Sequence, residues 1–234
     1  MNILDFIEVL LEHIDSNPEK RIVIGVGGIP GSGKTSTSKL IKETLRAKQL
    51  KSVILQMDGY HYPKSVLDGF SDPVEAHKRR GSPMTFDSRG FVDTVTTLVK
   101  EPSVTLNIPG WSHEYGDPIP NAATITPDVK VIIVEGLYLF LDEAPWNEIP
   151  PLLTFNAWID LPIETAMERL TQRHIDTGLA ETVEEAQQRI ETNDIINARL
   201  VLDKKSTHIT HTVVCNVRWK SKMALGSVSE LRSS

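Results

Sequence analysis

The strongest chemical signal in the chain is eight consecutive residues, Gly28-Ile29-Pro30-Gly31-Ser32-Gly33-Lys34-Thr35. Their types and spacing fit G-x-x-x-x-G-K-[ST], the phosphate-binding P-loop. Glycines let the backbone turn so that several N–H groups face one anion, and a helix N-terminus placed there adds partial positive charge. In this pattern Lys34 reaches the β- and γ-phosphates and the Thr35 hydroxyl ligates Mg²⁺. Gly28, Ile29, Pro30, Gly31, Ser32, Gly33, Lys34, Thr35 and the following Ser36 are the candidate nucleotide-binding residues. A ligand-free glycine turn between strand and helix is the plainer alternative; the full set of fixed positions and its context favour a phosphate site.

Two carboxylates stand where a P-loop protein needs them. Asp58 follows the apolar run Ser52-Val53-Ile54-Leu55-Gln56-Met57. Near a bound γ-phosphate it could accept the proton of an attacking hydroxyl. Asp58-Gly59 is equally a common turn signal, so position alone leaves both readings open. Glu135 ends Val131-Ile132-Ile133-Val134, where an acidic residue in a P-loop protein faces Mg²⁺ directly or through water; a helix-capping role is the alternative. Arg169 and Arg173, four apart, share one helix face and could close over a transferring phosphoryl group, or simply pair with Glu164 and Glu168.

The elements that must position these groups follow from periodicity. Residues 2–15 keep a helical period and end at Asn17-Pro18. Arg21 to Gly27 reads as a buried strand, and Leu40, Ile41, Thr44 and Leu45 continue the P-loop helix. Ser52–Met57, Val104–Ile108, Val131–Val134, Phe155–Leu161 and Thr210–Val217 read as strands, with a short strand expected at 119–126. Residues 59–83 show no long element, and Pro109 to Pro118 read as an aromatic, turn-rich loop. The basic stretch His77 to Pro83 fits a solvated helix face better than an acceptor-holding segment. Asp87-Ser88 opens a helix bearing Phe91, Val92, Val95, Leu98 and Val99, and Leu137–Leu141 enter a helix or turn. Pro162 is expected in the first turn of its helix. Thr182-Val183-Glu184-Glu185 fits a capping box. With Gly178 as a joint, residues 163–200 read as a two-helix lid, with Asn193, Asp194 and Asn197 looking inward.

Ligands of open α/β sheets sit beyond the strand carboxyl ends. The pattern therefore predicts a three-layer α/β P-loop NTPase fold, with a central mostly parallel sheet flanked by helices and a small helical lid. The whole of 1–234 is expected to form one domain, with 221–234 a flexible tail. A formal net charge of −6 argues against general nucleic-acid binding but not against an anionic substrate. The longest apolar run falls short of a membrane span. Acidic residues at the N-terminus do not suit a secretory or mitochondrial leader. The single Cys215, in an apolar run, is read as a buried thiol of a reducing, cytoplasmic compartment.

A P-loop alone specifies nucleotide binding, not a reaction. The guanine-reading Asn-Lys-x-Asp element of GTPases is absent, as are the Leu-Ser-Gly-Gly-Gln signature of ABC ATPases and a helicase-type acidic pair. An early carboxylate after the second strand and a late arginine-bearing helix pair remain, which is the plan of a small-molecule kinase. The motifs run in the order of a known family: the P-loop, Met57-Asp58-Gly59-Tyr60-His61, Arg80-Gly81-Ser82-Pro83-Met84-Thr85-Phe86-Asp87, Glu135-Gly136-Leu137-Tyr138-Leu139-Phe140-Leu141-Asp142, and Glu168 to His174. Across residues 20–217 the chain resembles the phosphoribulokinase/uridine kinase family of P-loop kinases, which also includes pantothenate and nicotinamide riboside kinases. It most resembles the uridine-kinase-like branch. The resemblance implies ATP and Mg²⁺ and transfer of the γ-phosphoryl to a hydroxyl of a small molecule: a nucleoside, a pantothenate-like compound or a sugar. It implies Asp58 as base, Lys34 on the phosphates, Thr35 and Glu135 at the metal, and Arg169 and Arg173 in the lid. Uridine kinases proper carry Asp-Ser-Phe-Tyr where this chain has Asp58-Gly59-Tyr60-His61; the Asp-Gly-Phe of pantothenate kinases is nearer. His174 stands where uridine kinases tend to continue Arg-Asp. An ATP-binding regulatory protein with vestigial activity, or an interaction module gripping a partner through the lid, would fit the same P-loop; the intact Lys34, Asp58 and Glu135 set favours live chemistry.

Overall fold

The structure is a computed structural model that describes residues 1–112 and 114–214. Helix α1 (Ile3–Asp15) leads into β1 (Ile22–Gly27), α2 (Lys34–Ala47) and β2 (Ser52–Gln56). Two short helices, α3 (Lys64–Leu67) and α4 (Pro73–Lys78), precede α5 (Ser88–Lys100). Strands β3 (Leu106–Ser112) and β4 (Asp117–Ile125) come next, then β5 (Val131–Gly136) and β6 (Phe155–Asp160). Helices α6 (Ile163–Asp176), α7 (Val183–Arg189) and α8 (Ile195–Asp203) precede β7 (His211–Val214).

β2, β5, β1, β6 and β7 form one sheet in that order, and every neighbouring pair is parallel. All residues of β1 and β5 are buried, because a parallel sheet covered on both faces leaves no polar side. Alternate residues serve opposite layers, as the two-residue strand period demands. Ile22, Ile24, Val26, Val131 and Ile133 pack against α1 and α2 through Phe6, Leu10, Ile41 and Leu45. Val23, Ile132, Val134 and Trp158 face the opposite layer, where α5 contributes Phe91, Val92, Val95 and Leu98. This is the three-layer α/β arrangement expected from the sequence. The chain leaves β1 towards β2 on one side and returns to β6 on the other. The ends of β1, β2 and β5 therefore share one rim at the switch in strand order, where ligands bind in such sheets.

Two local readings need correction. The 104–108 strand and the 109–118 loop are in fact an antiparallel hairpin of β3 and β4, outside the main sheet. Pro109-Gly110 reads as a breaker, yet the ladder only shifts register between Ile108 and Gly110 and then resumes. A two-stranded ribbon tolerates proline at such an irregularity. Pro162 is the N-cap, one residue before the first turn. Leu137–Leu141 take the turn of the helix-or-turn reading, with Tyr138, Leu139, Phe140 and Leu141 buried. The last strand is described for His211–Val214 only; its expected continuation to Val217, Cys215 and the tail at 221–234 lie outside the described residues. No helix among the described residues is long and apolar enough to cross a membrane.

Candidate active site

The phosphate loop takes its shape from two glycines in left-handed backbone. Gly33 (φ +100°) is the N-cap of α2 and leaves that helix without a side-chain cap, so its first N–H groups are not taken up by a capping side chain. Gly31 (φ +77°) turns where a Cβ would lie 2.3 Å from the Ala166 carbonyl oxygen. Only glycine fits there, and the loop thus seats directly on the backbone of α6. Lys34 Nζ donates to the Ile29 carbonyl at 3.0 Å, which holds its ammonium over the loop. Burial pushes the Lys34 ammonium down to about 8; Glu135 and Asp58 oppose the shift and Arg173 adds to it. One lysine thus feels both candidate carboxylates and one candidate arginine.

Strand register explains the buried carboxylate. Gln56 and Glu135 are direct partners in the β2–β5 ladder, so their side chains leave the same face of the sheet. Gln56 Nε2 and the Thr35 hydroxyl both donate to Glu135 Oε1, at 2.9 and 3.0 Å. Glu135 is 5% exposed, and its Oε2 is buried without a hydrogen-bond partner. An orphaned carboxylate oxygen calls for an occupant. Thr35, Glu135 and Asp58 offer hard oxygen donors, which suit Mg²⁺. The described residues hold no cluster of three His, Cys, Asp or Glu able to cage an ion alone. The set therefore fits a Mg²⁺ that completes its shell with phosphate oxygens and water. Glu135→Gln keeps an acceptor oxygen for Gln56 and Thr35 and removes the charge. It is expected to leave the fold intact and raise the Mg²⁺ concentration for half-maximal turnover 10-fold or more, in line with losses seen at metal sites. A Mg²⁺ titration that matches the parent protein would remove Glu135 from the metal's surroundings.

Asp58 lies in the turn after β2, in a short 3₁₀ segment from Met57 to Tyr60, and is exposed where it lines the same cleft as Lys34 and Thr35. The Asp58 carbonyl accepts from His61 Nδ1 at 2.9 Å. The His61 ring is packed between Phe86, with centroids 3.9 Å apart, and Trp111, at 4.6 Å. Next to it, Arg80 donates to Asp117 Oδ1 at 2.6 Å and to the Tyr62 carbonyl at 3.0 Å, with its guanidinium 5.4 Å from the Trp111 ring centroid. The hairpin thus backs His61 and Arg80, which line the cleft, while none of its own residues is among the lining. The basic stretch divides. His77 and Lys78 pair on the surface with Asp68 and Glu75, while Arg79 and Arg80 turn inward.

The helices after β6 close the opposite side. Arg173, His174, Arg189, Asn193, Asp194 and Asn197 line the cleft; Arg169 is not among its lining residues. Sequence reasoning placed Arg173, Asn193, Asp194 and Asn197 here, and missed Arg189, His61 and Arg80 as cleft groups. A π-helical turn from Ile190 to Asp194 joins α7 to α8, a rare geometry frequent at functional sites. Asn193 Nδ2 donates to the Arg80 carbonyl at 2.7 Å, and Asn197 Nδ2 to the Gly81 carbonyl at 3.3 Å. Arg79 returns a bond to the Thr192 carbonyl at 2.7 Å, and Tyr138 Oη reaches the Gly81 carbonyl from the core at 2.7 Å. His174, 3% exposed, faces Asp194 at 3.7 Å. Burial, then Arg189 and Arg173, drive its imidazole down to about 4, while burial raises the Asp194 carboxyl. The two therefore meet at neutral pH with an uncharged imidazole.

This geometry has relatives. The model of the phosphoribulokinase/uridine kinase family matches residues 23–191. An ATP-dependent kinase, YFH7 of Lachancea thermotolerans, is 32% identical over 223 residues, covering 80% of this chain and 63% of that protein. A provisionally named uridine kinase, C227.14 of Schizosaccharomyces pombe, is 33% identical over 194 residues, covering 82% of this chain and 80% of its own. Among solved structures, a provisionally named fructose transport system kinase from Silicibacter sp. TM1040 is similar at TM-score 0.80 and 28% identity, covering 91% of this chain and 98% of that one. The chain spans less than two thirds of the length of the Lachancea relative.

Proposed function

This chain belongs to the phosphoribulokinase/uridine kinase family, and from that premise we propose that it is an ATP-dependent small-molecule kinase. The acceptor hydroxyl oxygen attacks the γ-phosphorus of ATP, the bond from that phosphorus to the β,γ-bridging oxygen breaks, and ADP leaves. The hydroxyl proton passes to the Asp58 carboxylate. Lys34 and the amides at the start of α2 hold the phosphate tail. Thr35 and Glu135 hold Mg²⁺, which when bound neutralises phosphate charge. Arg173 covers the transferring group from α6, and residues 163–200 act as the lid over the site. Arg169 lies on the same helix but away from the cleft lining. Catalysis in this reading is positioning and electrostatics.

The observation that carries the reading is the meeting of Lys34, at the start of α2, with Asp58 and Glu135, at the ends of β2 and β5, in one cleft. The test is a coupled assay of ADP release with ATP and Mg²⁺ across nucleosides, pantothenate-like vitamins and sugars. ADP release that needs both Mg²⁺ and one acceptor class is the expected result. Tight ATP binding with no acceptor-dependent release across the panel would overturn it.

A further inference from the structure

The two asparagines that face inward from the lid are engaged by protein on both ends of their amides. Asn193 and Asn197 are 6% and 3% exposed. Asn193 Nδ2 goes to the Arg80 carbonyl, and Asn193 Oδ1 accepts from Asn197 Nδ2 at 3.2 Å. Asn197 Nδ2 also reaches the Gly81 carbonyl, and Asn197 Oδ1 accepts from Arg79 Nη2 at 3.3 Å. With oxygen and nitrogen both paired, these amides act as framework rather than as ligand groups.

Arg79, from the basic stretch, closes that framework. Its Nη1 donates to the Thr192 carbonyl at 2.7 Å while its Nη2 holds Asn197. Thr192 lies inside the π turn from Ile190 to Asp194. One guanidinium therefore grips both the turn and the helix that follows it. A planar fork can fix two acceptors at a set spacing, which the single ammonium of a lysine cannot. From Arg79 the bonds run through Asn197 and Asn193 to the carbonyl of Arg80, its own neighbour in the chain, so they form a closed ring. Arg80 and Gly81 on one side of the ring, and Asn193 and Asp194 on the other, line the cleft together with Asp58; Arg79 itself does not. In the kinase reading Lys34, Thr35 and the phosphate loop take the nucleotide, which leaves the ringed residues for the acceptor. We infer that Arg79 is a positioning residue for the acceptor half of the cleft. It touches neither substrate and keys the π turn to the Arg80-Gly81 segment, so that the two halves of the acceptor wall keep one spacing. The inference rests on the kinase reading and adds to it a residue that acts through its neighbours.

The test uses Arg79→Met, which keeps the side-chain stem and removes both donors, with the acceptor that gives the most ADP release in the coupled assay. KM for that acceptor should rise 10-fold or more, on the scale of a misplaced reacting group, with KM for ATP nearly unchanged. Arg79→Lys should recover only part of the loss. Asn197→Leu should act through the same ring, so the double variant should be no worse than the worse single one. Hydrogen exchange on the full chain without substrate should quicken at the amides of 189–197 and stay as in the parent across Lys34–Ala47. Faster exchange with an unchanged acceptor KM, or acceptor and ATP KM rising together, overturns the inference by making Arg79 a stability residue only. If the parent shows acceptor-dependent ADP release and Arg79→Met matches it, this inference falls alone. If the parent shows none with any acceptor, the kinase reading falls and takes the inference with it.

Discussion

Asp58→Asn is expected to lower turnover 100-fold or more, about 2.7 kcal/mol of transition-state stabilisation, while ATP affinity stays close to that of the parent protein. The substitution is nearly isosteric. It keeps the 3₁₀ turn from Met57 to Tyr60, and it spares the Asp58 carbonyl that orients His61, because that bond uses the backbone. What it removes is the capacity to take a proton from the acceptor. The loss should fall on kcat and on kcat/KM together, with the KM for ATP unmoved, as for an interaction made in the transition state. Single-turnover kinetics and equilibrium ATP binding on the same preparation provide the check. Full turnover in the variant would end the assignment of Asp58 as base.

Lys34→Met should pull function and stability in opposite directions. The ammonium faces the phosphate loop and sits at about 8 because burial disfavours its charge. Its loss is expected to weaken ATP binding 100-fold or more, on the scale of a charge-assisted hydrogen bond to phosphate. Yet the protein without nucleotide should become more stable. The folded Lys34 group releases its proton near 8 rather than at the ordinary 10.5, so between those values the unfolded chain binds more protons. Stability from this group therefore rises with pH across that window and carries a penalty at neutral pH. Allowing for its partial contact with water, removing the charge should gain on the order of 2 kcal/mol. The same linkage makes ATP binding take up a proton above pH 8, where parent affinity should fall about tenfold per pH unit while the methionine variant stays flat. Thermal unfolding without nucleotide and binding isotherms from pH 7 to 9.5 test both halves. A variant that is less stable and equally tight for ATP would contradict the placement of Lys34.

The sheet was legible because a parallel strand buried on both faces leaves an unbroken apolar run, as in Ile132-Ile133-Val134, and because the phosphate loop fixes the strand before it and the helix after it. Asp58 and Glu135 could be placed on one rim because each ends such a run. The hairpin was not legible. Pro109 and Gly110 signal a break by local chemistry, and only the cross-strand partner on β4 shows that the ladder survives them. Arg80 and Arg189 escaped for a related reason: an arginine in a basic stretch or on a polar helix looks solvated until the partner that turns it inward is known. For Arg80 that partner is Asp117, 37 residues away. Arg169 and Arg173 show the reverse, since sharing one helix face by spacing did not put both side chains on the cleft.

The bonds from Asn193 and Asn197 to the carbonyls of Arg80 and Gly81 join two parts of the chain separated by more than a hundred residues. Arg80 in turn lies over the indole of Trp111. A tilt of the C-terminal helices is thereby transmitted to a chromophore. Of the chain's four indoles, Trp111 is therefore the one whose emission is expected to follow helix posture, without any attached dye.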